Sequence, residues 1–385
     1  LHFPDEEAKT KENSAEQTNG INHIRGSRSW NFKRWLRLVL YTILLLSGQS
    51  VATILGRLYF EKGGSSKWVA TLAQLGGFPV LVPLYCILLF KTPTSNKIID
   101  TNPPSFLKLL KLVYVPLGLL SAGSCFLYSV GLEYLPVSTV TLIIASQLAF
   151  NAFFSYFLNS QKFTPFIINS LVLLTISSVL LVVNNHSEKP AGVSKGEYAA
   201  GFICTICGAA VYGLLLASQQ LAFRKVLKRQ TLKVLLEVIL FSSLVASSAI
   251  LVGLFVSGDW KGLKREMDEY ALGKVSYVMT LLWTAICWQV FAIGTVGLVF
   301  EVSSLYSIAI STVGLPIVPV IAVFVFHDKM DGIKGVSMVL AIWGFISYVY
   351  QHYMDHQKSK IENRIASESS EYCSPGEINH ANNWD

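Results

Sequence analysis

The chain has 385 residues, of which 52% are hydrophobic and only 14% are charged. Soluble domains carry about 25% charged residues, so this composition excludes an ordinary soluble enzyme and indicates a protein with many membrane spans. The net charge of +7 is explained by basic cytoplasmic loops. Nucleic-acid binding is not expected, because no RNA- or DNA-binding motif accompanies the charge.

Ten apolar segments follow a polar N-terminal stretch, and each is long enough to cross roughly 30 Å of hydrocarbon as a helix. They are predicted at 36–56, 68–90, 106–131, 136–158, 163–183, 198–221, 232–256, 275–299, 303–326 and 332–353. The polar tails 1–35 and 354–385 contain too few apolar residues to bury a core and are expected to be disordered. The predicted fold is therefore all-α and integral to the membrane.

Lysine and arginine are concentrated in alternate loops. If the N-terminal tail is cytosolic, the basic clusters at 25–37 and 224–233 also fall inside. The 257–274 loop then falls outside, where acidic residues offset its cations. Cytoplasmic loops carry the excess of positive charge, so both termini are expected in the cytosol.

The two halves of the chain resemble each other weakly. The segment 159–183 aligns with 326–350 at one constant offset, which puts Lys162 on Lys329. The halves 36–183 and 198–353, joined by the loop 184–197, then hold five spans each. An odd number of spans forces the halves into opposite orientations. Inverted repeats with a substrate site between them are typical of secondary transporters.

Polar side chains inside the apolar segments predict the substrate pathway. Charges are nearly absent from the centres of the spans, whereas amides and aromatic rings recur. A ring to stack on and an amide to meet edge donors and acceptors suit a neutral, planar heterocycle. The predicted substrate contacts are Gln49, Gln74, Gln147, Asn151, Trp288 and Gln289. Weaker candidates, which are better explained by structural roles, are Tyr128, Tyr212, Gln219 and Tyr306.

Two of these patterns have alternative explanations. Gln147 and Asn151 are four residues apart and share a helical face, so they either line a cavity or form hydrogen bonds to a neighbouring helix. The second span contains Gly76, Gly77 and Pro79, which predicts a broken helix. That break either bounds the site or lets the helix pack closely on a neighbour.

The sequence offers few acids for proton coupling. Glu237 in the seventh span is the candidate proton carrier, and its alternative role is an i,i+4 pair with Lys233. Glu301 is expected to cap the ninth helix, and Glu133 is expected to be solvated. No cofactor, metal or ATP site is predicted, because the sequence contains no HExxH and no GxxxxGK[ST] motif. An enzyme is therefore not expected.

Three stretches, 56–83, 134–165 and 260–353, resemble the plant purine permeases of the drug/metabolite transporter superfamily; the first reads GRLYFEKGGSSKWVATLAQLGGFPVLVP. The resemblance implies ten helices in two inverted five-helix repeats and alternating access. It also implies proton-coupled import of purine nucleobases, cytokinins or related heterocycles. The plasma membrane is the expected location, and the vacuolar membrane is the alternative.

The resemblance does not choose the substrate, since some relatives move alkaloids or vitamin B6. A dedicated alkaloid permease with little purine activity is the alternative within transport, and a non-transporting receptor or scaffold is the alternative in another class. Glu133 stands where relatives often carry an apolar residue. Its negative charge is either a surface variation or a feature that favours cationic solutes.

Overall fold

The computed structural model describes residues 6–91, 106–160, 194–227 and 231–314, with single positions between 165 and 176 and between 332 and 354. Every regular element in the four continuous ranges is helical, so the predicted all-α class is confirmed. The helices are α1 (Glu6–Glu61), α2 (Lys67–Leu75), α3 (Val82–Lys91), α4 (Phe106–Leu109), α5 (Val115–Tyr134), α6 (Val137–Ala145), α7 (Gln147–Asn159), α8 (Lys195–Leu221), α9 (Leu232–Ser257), α10 (Leu263–Glu269), α11 (Lys274–Glu301) and α12 (Ser304–Gly314). Short 3-10 turns at Phe78–Leu81 and Asp259–Gly262, and π turns at Leu110–Tyr114 and Ala222–Leu227, extend or join them.

Within the described ranges, six helical segments are long and apolar enough to cross a membrane. They are Arg34–Glu61, Lys67–Phe90, Leu107–Tyr134, Lys195–Leu227, Leu232–Ser257 and Lys274–Glu301. These match the predicted spans one, two, three, six, seven and eight. The chain is a multi-pass integral membrane protein.

The remaining predicted spans are shorter in the structure or lie outside the part it describes. The fourth is divided at Ser146 into α6 and α7, and α12 is the described part of the ninth. The spans 163–183 and 332–353, apart from single positions, lie outside the described residues. The first helix is longer than predicted. α1 begins at Glu6 and includes most of the tail that was expected to be disordered.

The second span is broken where the sequence predicted. Ser66 caps α2 by accepting a hydrogen bond from the Val69 amide. α2 ends at Leu75, and one 3-10 turn that contains Pro79 leads into α3. A side chain at Gly77 would collide with the Ala285 carbonyl oxygen of α11. The break therefore allows close packing on α11, which is one of the two roles considered for it.

α1 and α11 cross with their backbones almost in contact. A Cβ atom added at Gly48 would lie 2.6 Å from the Phe291 amide nitrogen. One added at Gly294 would lie 2.6 Å from the Tyr41 carbonyl oxygen. Small residues let membrane helices approach in this way. The fully buried Leu45 and Leu298 are part of the apolar core beside this crossing.

The predicted outer end of the bundle is closed by a group that we call the Glu266 cluster: Glu266, Tyr59, Tyr277 and Ser65. The Tyr59 and Tyr277 hydroxyls donate to Glu266 Oε1 at 2.5 and 3.1 Å, and Ser65 Oγ donates to Oε2 at 3.1 Å. Glu266 is only 8% exposed. Burial also raises the pKa of Tyr270 in the adjoining turn. The loop helix α10 is thus anchored to α1 and α11 through one carboxylate.

The opposite end is joined by ion pairs. Arg37 Nε donates to Glu301 Oε1 at 2.7 Å, and Arg34 donates to the Glu301 backbone carbonyl at 2.9 Å. The expectation that Glu301 caps the ninth helix is therefore wrong. The cap is made by Ser303, whose hydroxyl accepts from the Tyr306 amide at 3.1 Å, because a short hydroxyl side chain reaches its own helix while Glu301 reaches the cations of α1.

Candidate functional site

A cavity lies at the centre of the bundle, and we call it the central cavity. It contains about 610 Å³ of space free of protein atoms, part of it open to solvent. Helices from both halves of the chain contribute to its wall. The lining residues are Gln49, Thr53, Gln74, Ser124, Cys125, Tyr128, Ile144, Gln147, Thr205, Gly208, Ala209, Tyr212, Trp288, Phe291 and Ser311. None of these lining residues carries a formal charge at neutral pH.

Aromatic rings form one part of this wall. Trp288 of α11 lies 5.8 Å from Tyr128 of α5 and 5.2 Å from Phe291, ring centre to ring centre. Both contacts are edge-to-face, at 80° and 88°, which is a favoured aromatic geometry. The three rings hold one another in place, so the cavity offers fixed aromatic surface to a planar ligand.

Three of the predicted glutamines line the central cavity: Gln49, Gln74 and Gln147. Ser311 Oγ of α12 donates to Gln49 Oε1 at 3.0 Å. Gln74 Nε2 donates to Ser129 Oγ of α5 at 2.9 Å. The carbonyl oxygen of Gln74 is buried and has no hydrogen-bond partner among the described residues. Leaving such an acceptor unpaired costs about 1–3 kcal/mol.

Asn151, by contrast, is not among the residues that line the cavity. It is fully buried, and its Nδ2 donates to the Gly213 carbonyl of α8 at 2.9 Å. A Cβ at Gly213 would lie 2.8 Å from the Asn151 backbone nitrogen, so α7 and α8 are too close here to leave space for a ligand. Of the two roles considered for Asn151, the structure supports the hydrogen bond between helices.

Gln289 is also placed behind the cavity wall. It is 3% exposed, and its Nε2 lies 3.5 Å from the Leu75 carbonyl at the end of α2. Adjacent residues on a helix point about 100° apart, so Gln289 and Trp288 do not face the same space. Gln289 contacts the break in the second span instead.

Glu237 lies outside the central cavity, near the predicted inner end of α9. Its Oε1 accepts a hydrogen bond from the Tyr85 hydroxyl of α3 at 2.9 Å. Lys233 Nζ lies 3.9 Å from the same oxygen. The expected i,i+4 pair is therefore present, and a second helix also binds this carboxylate.

The sequence predicted that Glu133 is solvated, but in the structure it pairs with a lysine. Its Oε2 lies 3.2 Å from Lys67 Nζ, and Lys67 also donates to the Tyr134 hydroxyl at 2.9 Å. The neighbouring cation offsets the charge of Glu133. This reduces the reason to expect an acidic vestibule that attracts cationic solutes.

Several lining residues were not predicted or were ranked low. Tyr128 and Tyr212 were treated as structural, and Thr205 was not proposed as a contact. Hydroxyl groups are a weak signal in apolar helices because they can bond to their own backbone, as Thr205 does to the Gly201 carbonyl at 2.7 Å. Gly208, which also lines the cavity, resembles any small residue at a helix crossing.

A smaller cavity of about 300 Å³ adjoins the central cavity. The two share Gln74, Tyr128 and Trp288. The smaller one continues to Tyr59, whose hydroxyl belongs to the Glu266 cluster. Tyr59 thus lies between the smaller cavity and the Glu266 cluster.

Metal binding finds no support in the described part of the chain, where no group of three or more His, Cys, Asp and Glu side chains could hold a metal ion. The fold and the site together define a multi-pass helical membrane protein with an uncharged, mainly apolar cavity that carries several amides and hydroxyls among its spans. Such a cavity is suited to a small organic solute.

Comparison with known proteins gives the family. The family described as "Purine nucleobase transmembrane transport" matches residues 36–358. Purine permease 21 of Arabidopsis thaliana is 58% identical over 344 residues, covering 89% of this chain and 87% of the relative. Probable purine permease 10 of the same plant is 59% identical over 346 residues, with the same coverage. The chain belongs to the plant purine permease family.

Proposed function

We propose that this protein is a secondary active transporter that imports purine nucleobases or related nitrogenous heterocycles across the plasma membrane. The observation that carries this proposal is the pairing of an aromatic wall around Trp288 with the amides of Gln49, Gln74 and Gln147 in one uncharged cavity. The ring of a base stacks on the aromatic wall, and the amides meet its edge. Permease names among close relatives support the same class of function and speak against an enzyme.

The proposed architecture is ten helices in two inverted five-helix repeats, 36–183 and 198–353, with both termini in the cytosol. The central cavity takes residues from both proposed repeats, for example Gln49 from the first and Trp288 from the second. This is the position expected for a substrate site between inverted repeats. Alternating access then exposes the cavity to one side at a time.

Proton coupling is part of the proposal, with Glu237 as the proton carrier. The carboxylate is partly buried, and Tyr85 and Lys233 bind it from two sides. The Glu237 side chain is 21% exposed and lies where α3 meets α9. Protonation would weaken the attraction to Lys233 and so loosen the joint between α3 and α9.

Uptake of labelled adenine by a transporter-deficient yeast strain tests both purine import and proton coupling. The wild type should accumulate adenine, and a protonophore should abolish the accumulation. Glu237→Gln should still exchange adenine for adenine but lose accumulation driven by the pH gradient. Glu269→Gln, a change at a carboxylate that is 71% exposed on the outer loop, is the matched control and should behave like the wild type.

Three results would contradict the proposal. Uptake that is insensitive to the protonophore removes proton coupling, and absence of counterflow in proteoliposomes identifies a receptor or scaffold. Alkaloid uptake that adenine does not inhibit identifies the dedicated alkaloid permease instead. No acidic side chain is present among the described lining residues, so the cavity itself does not favour a cationic alkaloid.

A further inference from the structure

Gln49 and Gln74 use opposite ends of their side-chain amides to bond to neighbouring serines. Ser311 donates to the carbonyl of Gln49, which leaves the Gln49 NH₂ group as a donor. Gln74 uses its NH₂ group to donate to Ser129, which leaves its carbonyl as an acceptor. In this arrangement the Gln49 NH₂ group and the Gln74 carbonyl are the amide groups left over for a ligand.

The free carbonyl of Gln74 calls for an explanation, because buried polar atoms in native proteins nearly always have a partner. Gln74 is only 6% exposed, and its Oε1 has no partner among the described residues. Turning the amide over would not help, since the NH₂ group would then lose Ser129 and become the unpaired group. The position of Gln74 in the walls of both cavities points to a ligand as the missing partner.

We propose that the Gln74 carbonyl accepts an N–H of the transported heterocycle while the Gln49 NH₂ group donates to one of its unprotonated ring nitrogens. This inference rests on the proposed function and specifies the substrate class. The ligand must be planar and must carry both an N–H group and a ring nitrogen with a free lone pair. Sites built to bind an N–H discriminate strongly against analogues that lack it.

Gln74 recognises the N–H group of the ligand, and this recognition depends on Ser129. Ser129 Oγ accepts from Gln74 Nε2 and also lies 2.9 Å from Thr71 Oγ1. Ser129 is completely buried, and its bond to the Gln74 NH₂ group leaves the Gln74 carbonyl directed away from Ser129. Ser129 is thus a positioning residue, and it does not contact the ligand itself.

The test is competition against labelled adenine, with purified protein in lipid nanodiscs and three unlabelled probes. The probes are adenine, 6-dimethylaminopurine, which lacks the exocyclic N–H, and 9-methyladenine, which lacks the ring N–H. The wild type should prefer adenine to at least one blocked analogue by roughly tenfold, the value of a hydrogen bond of ordinary strength. In Gln74→Met, which keeps the side-chain length and removes the acceptor, this preference should fall to about twofold or less.

Comparing preferences between variants separates a lost hydrogen bond from a steric clash, because a clash of the added methyl groups would persist in Gln74→Met. Gln219→Met is the matched control. Gln219 is 6% exposed and also has a carbonyl without a described partner, but it does not line either cavity. Its substitution should leave the adenine preference at the wild-type value.

Ser129→Ala keeps the inference testable if Gln74→Met does not fold. This change removes one buried hydroxyl and frees the amide to turn, so the preference for adenine should fall by a factor of about three. An unchanged preference in either folded variant overturns the inference but leaves the proposed function intact. If the wild type binds none of the three probes, the proposed function fails, and the inference fails with it.

Discussion

Gln147 and Asn151 show how two amides on one helical face differ in role. Gln147 lines the central cavity at the first turn of α7. Asn151, one turn further along, is fully buried against the Gly213 carbonyl. The four-residue spacing shows that both amides lie on one helical face. Which of them reaches the cavity depends on where α8 packs against α7, and the sequence does not show this.

Substituting each amide by alanine should separate these roles. Gln147→Ala should raise the apparent KM for adenine about two- to tenfold, the value of one neutral hydrogen bond, without loss of thermal stability. Asn151→Ala should leave the apparent KM unchanged and lower the stability by roughly 1 kcal/mol. Uptake kinetics and thermal unfolding of the purified protein measure the two effects. A changed KM in folded Asn151→Ala would return that residue to the binding site.

Other site residues illustrate what was predictable and why. Polar or aromatic groups in long apolar segments identified Gln49, Gln74, Gln147 and Trp288, all of which line the cavity. Gln289 was assigned with Trp288 although adjacent helical positions face different directions. Tyr128 and Thr205 required the structure, because nothing in the sequence says which rings and hydroxyls converge from distant helices.

At the scale of elements, the spans were easier to predict than their interruptions. The break after α2 carries Gly76, Gly77 and Pro79, which the sequence shows plainly. The break at Ser146 has neither glycine nor proline beside it. Its hydroxyl donates to the Ile143 carbonyl at 2.5 Å, a local bond that competes with the helical backbone pattern. A serine with this role cannot be distinguished from any other serine by sequence alone.

The crossing of α1 and α11 gives a prediction about stability. Gly294→Ala would place a methyl group 2.6 Å from the Tyr41 carbonyl and 2.8 Å from Leu45 Cα, so the helices have to separate. We expect a loss of about 1–3 kcal/mol, the usual cost of overpacking, seen as a lower midpoint of thermal unfolding. Gly123→Ala in α5, where a Cβ meets no atom within 4 Å, is the matched control.

Gly123→Ala should leave the unfolding midpoint unchanged or raise it slightly, because alanine restricts the helix backbone more than glycine does. Equal effects of the two substitutions would mean that the close approach at Gly294 does not stabilise the bundle.

For the whole molecule, the orientation in the membrane is the property that the charges predict. The loop at 257–274 is expected outside, and the basic cluster at 224–233 is expected inside. The Glu266 cluster and the Arg37–Glu301 pair lie at these two opposite ends. The described helices are compatible with this orientation, which rests on the distribution of lysine and arginine.

Cysteine labelling on intact cells tests the orientation. In a variant without the native cysteines, Lys261→Cys should react with a membrane-impermeant thiol reagent added outside. Arg224→Cys should react only after the membrane is permeabilised. Both side chains are exposed in the structure, so a lack of reaction would reflect the side of the membrane and not burial. The reverse pattern would invert the proposed topology.

The Glu266 cluster has a consequence for the timing of access from the outer side. Hydroxyls from α1, α11 and the turn before α2 share one carboxylate, and Tyr59 also bounds the smaller cavity that adjoins the central cavity. In the proposed alternating-access cycle, any separation of α1 from α11 at this end has to break at least one of these bonds, because both helices donate to Glu266. The cluster would then set an energetic threshold for outer opening, so the resting protein would be closed to solute on that side.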